Sequence, residues 1–117
     1  MESTPMKKSD RNRRPKYNAR RTKVDGITFY SAKEAAYYIT LCRKMKAGEI
    51  DAFDRQVRFE LVPKQDGERA VNYVADFVTY KDGKRLEVID VKGMRLPDYV
   101  IKRKLLLWVH GIKIKEI

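Results

Sequence analysis

Two acids and a lysine stand where this sequence could do chemistry. Asp76 lies within Tyr73-Val74-Ala75-Asp76-Phe77-Val78-Thr79-Tyr80, and Asp90 and Lys92 lie within Leu86-Glu87-Val88-Ile89-Asp90-Val91-Lys92. Both runs are rich in β-branched and aromatic residues, the composition of strands. Each therefore sets a carboxylate among apolar neighbours, where a lone charge is costly to bury. Lys92 follows Asp90 by two positions, so strand alternation puts both on one face. Such a face suits hydrolysis of a phosphodiester. The acids would hold Mg²⁺, with Mn²⁺ as a substitute, because these cations take oxygen ligands. The cation would polarise a phosphoryl oxygen and activate water, while Lys92 would orient that water or offset charge on the phosphate. D-x-K alone favours a solvated ion pair; Asp76 at a matching hairpin position brings the two readings level.

Register decides whether Asp76 shares that face. Lys81-Asp82-Gly83-Lys84 carries the turn chemistry between the strands. A two-residue Asp82-Gly83 turn would pair position 76 with 89 and separate Asp76 from Asp90. A three-residue loop, with Gly83 left-handed at a bulge, would pair 76 with 88 and make the two acids diagonal neighbours. The second register is expected, because it gives both acids a common reason to be there.

The elements that must position these residues belong to a chain of 117 residues and 13.8 kDa, enough for one domain with a modest core. A net charge of +11 and a pI near 9.8 point to a polyanion, nucleic acid first and an anionic membrane surface second. No apolar run approaches the roughly 20 residues of a membrane span, and the charged N-terminus has no apolar segment behind it to make a secretory signal. Cys42 is the only cysteine and His110 the only histidine. That excludes an internal disulfide framework, a cysteine-rich zinc module and His-paired nuclease or metalloprotease designs. Carboxylate–Mg²⁺ chemistry remains, and the expected compartment is the cytoplasm.

Residues 1–23 form a basic arm, expected to be disordered when free. Nine cations (Lys7, Lys8, Arg11, Arg13, Arg14, Lys16, Arg20, Arg21, Lys23) stand against Glu2 and Asp10, and nine minus two leaves +7. The arm reads as an electrostatic contact for phosphates in preference to a solubilising leader or a nuclear-localisation-like run. Residues 24–117 read as a single domain. Val24 to Phe29 is a short extended piece turning at Asp25-Gly26. Ser31-Ala32-Lys33-Glu34 is a capping box opening a helix to about Ala47, stopped by Gly48. Glu34 then has two readings: a capping partner, or an acid that reaches a metal from the buried stripe it shares with Tyr38, Leu41 and Met45.

Val57, Phe59 and Leu61 alternate within a strand over Phe53–Val62, and Pro97 opens a second helix running to about Val109. The apolar side of that helix includes Ile101, Leu105 and Trp108. Lys102 and Arg103 lie off it, as a phosphate contact or as an ordinary solvated face. Gly111 ends the helix, and Ile112–Ile117 alternates as a last strand. The expected order is α-β-β-β-α-β.

This order, with an acid in the first helix, Asp on one strand and D-x-K on the next, resembles the PD-(D/E)XK nuclease superfamily. Lys16-Tyr17-Asn18, Val24-Asp25-Gly26-Ile27-Thr28-Phe29, Ser31-x-x-Glu34-Ala35, Tyr73-Val74-Ala75-Asp76-Phe77 and Val88-Ile89-Asp90-Val91-Lys92-Gly93 look like the small phage and prophage endonucleases of that superfamily. Ala75 stands where the signature has proline, and Asp90 replaces the commoner Glu. The resemblance implies an α/β (α+β) restriction-endonuclease-like core, a mixed sheet flanked by helices. It implies that Glu34, Asp76 and Asp90, with Val91, gather around Mg²⁺, that Lys92 is the catalytic lysine, and that Gln56 is a polar active-site residue. The implied activity is a Mg²⁺-dependent DNA endonuclease of the host-cell cytoplasm. It would be structure-selective and Holliday-junction-resolvase-like, acting on branched or nicked DNA in phage recombination or processing. Cutting a four-way junction twice would call for a homodimer. The alternatives are a nick- or flap-directed endonuclease and a non-catalytic DNA-binding accessory protein.

Overall fold

The computed structural model describes residues 21–91 and 94–117. An N-terminal hairpin, β1 (Thr22–Val24) and β2 (Ile27–Phe29), precedes helix α1 (Ala32–Lys46). Strands β3 (Ala52–Val62), β4 (Val71–Lys81) and β5 (Lys84–Asp90) follow, then helix α2 (Pro97–His110) and the short strand β6 (Lys115–Glu116). The fold is α+β. One sheet is the β1–β2 ribbon; the other has the order β3-β4-β5-β6 and is antiparallel except where β5 meets β6 in parallel. Among the described residues no helix is long and apolar enough to cross a membrane.

Local chemistry accounts for the ends of the elements. Asp25 and Gly26 both take left-handed φ, 52° and 77°, as a two-residue hairpin turn requires. The Ser31 side chain accepts a hydrogen bond from the Glu34 amide at 3.0 Å, capping α1. Arg43, Lys44 and Lys46 sit in its last turn, where cations complement the helix dipole.

The sheet separates two cores. On one side α1 contributes Ala35 and Leu41, packed with Phe29, Ile50, Phe77 and Ile89. On the other α2 contributes Tyr99 and Leu106, packed with Phe59, Leu61, Tyr73, Ala75, Val78 and Val88. Strict alternation fails at one level of the sheet. Tyr73 and Ala75 face the α2 core, yet Phe77, two residues on, faces the α1 core. On β3, Val57 and Phe59 pack toward α2 while Phe53 packs toward α1. Both strands change sides together because the β3–β4 pairing keeps one register across the level, from Arg55–Phe77 to Val57–Ala75. Gln56, at the crossover, has a left-handed φ of 53° inside a strand, a conformation that costs a non-glycine residue on the order of 1–3 kcal/mol.

Three expectations are corrected. The buried side of α2 is Tyr99 and Leu106, not Ile101 and Trp108, which are exposed, Trp108 by 83%. Tyr99 and Leu106 are seven residues apart and meet the sheet, so the helix is rotated away from its most apolar stripe. Met45 likewise leaves the buried stripe of α1. The last strand is shorter than Ile112–Ile117: Ile112 and Ile114 are buried, but only Lys115 and Glu116 pair with β5.

The rotation of α2 is directly measurable by urea denaturation. Leu106→Ala should cost about 2–5 kcal/mol as a buried truncation, whereas Trp108→Ala should change stability by less than about 0.5 kcal/mol.

Candidate active site

The hairpin brings the two aspartates together by a route neither expected register described. Asp82 and Gly83 form a two-residue turn, with φ of 54° and 75° and Lys81 paired to Lys84. Between the pairs Tyr80–Arg85 and Thr79–Glu87, Leu86 is an extra residue on β5. This bulge shifts the ladder by one, so Val78 meets Val88 and Phe77 meets Ile89. One step further, 76 lies opposite 90. The expected pairing of 76 with 88 is thus replaced by direct opposition. The Thr79 hydroxyl accepts from the Glu87 amide at 3.1 Å, beside the bulge.

Phe77–Ile89 is the last pair of the β4–β5 ladder, and the acids sit just beyond it. There the Val91 amide donates to Asp76 Oδ2 at 2.8 Å in place of a ladder bond. Asp90, 3% exposed, accepts from the Tyr73 hydroxyl at 2.5 Å. Glu34 comes to the same place from α1, its side chain 8% exposed. The Gln56 amide nitrogen lies 3.4 Å from both Glu34 Oε2 and Asp76 Oδ1, bridging helix and sheet. Glu34 therefore both follows the N-cap and faces the acids. The Ser31 cap uses the Glu34 backbone amide, and the Glu34 carboxylate is turned to Gln56.

Crowding and burial govern the charges. Asp76 is pushed up to about 7, chiefly by desolvation, with the Val91 amide opposing and Asp90 and Glu34 adding to the rise. Glu34 is raised by burial, partly offset by the Arg55 guanidinium and reinforced by Asp90. Arg55 itself lies over the Phe29 ring, 4.7 Å from its centroid.

The donor set suits a hard divalent cation. Asp76 and Asp90 present carboxylate oxygens, Val91 can add only a backbone carbonyl, and Glu34 stands behind the Gln56 amide. No three acids among the described residues already form a metal cage. Mg²⁺ asks for less, because it keeps several waters and is often held by one or two carboxylates. Asp76, Asp90 and Val91 also line an open depression of about 360 Å³, with Asn72, Asp98 and Lys102 on its walls.

The basic residues divide three ways. Lys102 borders that depression. Arg103 is drawn to Glu116 at 3.2 Å, a carboxylate that also takes Arg95 and the Tyr99 hydroxyl and is held down to about 2 by those partners. Arg21 is exposed, over the Tyr30 ring. Lys7, Lys8, Arg11, Arg13, Arg14, Lys16, Arg20 and Lys92 lie outside the described residues. Arg55 and Tyr73 belong to the site but were not singled out for a role by the sequence. Their only signal is adjacency, Arg55 beside Gln56 and Tyr73 one strand turn before Asp76.

A family profile described as "Protein of unknown function (DUF1064)" matches residues 14–114. The chain belongs to this family. The match takes in every element from β1 to α2 and all the acids of the site. No curated protein and no solved structure matches the chain.

Asp76 sets a pH test. Its folded pKa lies above the ordinary 3.8, so in metal-free protein the stability that depends on a protonated Asp76 is fully present below that value and is lost as pH rises toward 7. Asp76→Asn should remove much of this loss. In chelator at about pH 8 the variant should melt several degrees above the parent, and the two should converge in acid, as read by thermal melts across pH.

Proposed function

We propose that this protein is a Mg²⁺-dependent endonuclease hydrolysing DNA phosphodiester bonds, with a PD-(D/E)XK-type site. The observation that carries the reading is the opposition of Asp76 and Asp90 where β4 and β5 part, with Glu34 turned toward them across Gln56. Fold and charge support it. A helix, three strands, a helix and a strand follow one another in the order of that superfamily, and a net charge of +11 suits a phosphate polymer.

Asp76 and Asp90 would hold the cation with the Val91 carbonyl, and the cation would supply Lewis acidity and lower the cost of deprotonating water. The chain's own residues do the rest. Asp76 is fixed by the Val91 amide, and Asp90 by the core beneath it. Gln56 and Glu34 form a polar wall able to orient a water beside the phosphate. Lys92, two residues after Asp90, would offset charge on the phosphate. Lys102 offers a cation at the rim for a flanking phosphate, and the N-terminal cations would add charge for further phosphates. Branched DNA is the favoured substrate, with a homodimer cutting junctions in pairs; nicked and flap substrates are the alternatives.

A cleavage panel of linear duplex, nicked duplex, flap, single strand and four-way junction, with and without Mg²⁺, tests this reading. Parent protein should cut only with the cation and prefer a branched substrate. Asp90→Asn should lose nearly all cleavage while retaining DNA affinity. Cleavage in chelator, or near-normal cutting by Asp90→Asn, would overturn the proposed site.

Removing residues 1–14 should weaken binding to every DNA shape and flatten its salt dependence, because the segment contributes charge without base contacts. Equal affinities and salt slopes for the two proteins would show the arm to be a passive leader.

A further inference from the structure

From the hydrogen bond inside the α2-side core, we infer that Tyr73 is the positioning residue for Asp90 and sets the site's affinity for its divalent cation. This rests on the reading of Asp90 as a cation ligand and extends it to a residue that touches no substrate. Tyr73 is 4% exposed, and its hydroxyl donates to Asp90 Oδ2 at 2.5 Å. The ring is itself immobilised. It stacks on Phe59, with centroids 6.5 Å apart and planes at 22°, and packs against Tyr99 at 6.4 Å. A donor carried on so constrained a ring defines where the acceptor oxygen must be.

The topology gives this bond a purpose. Asp90 is the last residue of β5, and the β4–β5 ladder has already ended at Phe77–Ile89. Its backbone is tied to β6, the Ile117 amide donating to the Asp90 carbonyl at 2.9 Å. That bond fixes the main chain without choosing the side-chain rotamer. Tyr73 stands on β4, three residues before Asp76, and thus on the strand that carries the opposing acid. One rigid strand therefore both supplies Asp76 and aims Asp90. Buried carboxylates need hydrogen-bond partners, and partners that orient metal-holding side chains change metal affinity by about 10–100-fold when removed.

The test is calorimetric titration of the full chain with Mn²⁺ and with Mg²⁺, alongside cleavage rates across a Mg²⁺ series. Tyr73→Phe keeps the ring and removes only the donor. It should bind the cation about tenfold or more weakly and need correspondingly more Mg²⁺ for half-maximal cleavage. At saturating Mg²⁺ most of its turnover should return, a split that a merely structural loss would not produce. Tyr37→Phe removes another buried hydroxyl, one that has no hydrogen-bond partner among the described residues, and should leave cation affinity unchanged. In an Asp90→Asn background, Tyr73→Phe should have no further effect on Mn²⁺ binding.

Unchanged cation affinity in folded Tyr73→Phe would overturn the inference and leave the metal site standing. Equal weakening by Tyr37→Phe would do the same by exposing a general packing effect. A parent protein that binds neither cation would overturn both the inference and the reading beneath it.

Discussion

Burying like charges together is the constraint on which the rest of this structure depends. Asp76, Asp90 and Glu34 share a small region between two apolar cores, where burial and the neighbouring acids raise Asp76 and Glu34 above their ordinary values. Each is secured from a different direction. Asp76 takes a main-chain amide from the neighbouring strand, Asp90 a phenol from below, and Glu34 the side-chain amide of Gln56 with Arg55 nearby. A fold that needed only stability would gain by replacing some of these acids with apolar groups. Together the acids concentrate backbone strain and buried charge in one place, the kind of arrangement that makes a candidate for the chemistry proposed above.

The same place is where the sheet changes sides. At the level of Gln56 and Asp76 the side-chain alternation of β3 and β4 breaks without a change of register. Each strand must therefore hold a residue that belongs to neither core. Such positions are poor for packing but suit polar groups, and they lie at the meeting of α1, β3, β4 and β5. The left-handed φ of Gln56 is the backbone cost of the arrangement.

Much of the fold was legible in the sequence because punctuation is local. Ser31, Gly48, Pro97 and Gly111 marked helix ends by capping and turn chemistry, and Asp25-Gly26 and Asp82-Gly83 marked the turns. The acids were legible because a carboxylate inside a strand is conspicuous. The β4–β5 register was not, since a single extra residue at Leu86 belongs to no motif. The facing of α2 was also hidden: Ile101 and Trp108 form the more obvious apolar pair, but packing selected Tyr99 and Leu106. Tyr73 looked like an ordinary strand aromatic, and only tertiary contact shows its hydroxyl on Asp90.

Leu86 is more than half exposed, and little rests on what its side chain is. What matters is that the residue stays out of the ladder's count. The bulge works as a spacer between a turn with its own geometry and a pair of acids with theirs, so the hairpin is tolerant in spelling and strict in register. Were Leu86 drawn into the ladder opposite Thr79, Ile89 would come opposite Asp76 and Asp90 would turn to the other face of β5, away from Asp76 and Tyr73 alike. An exposed stretch on the rim of the sheet thus keeps the count for a buried centre several residues away.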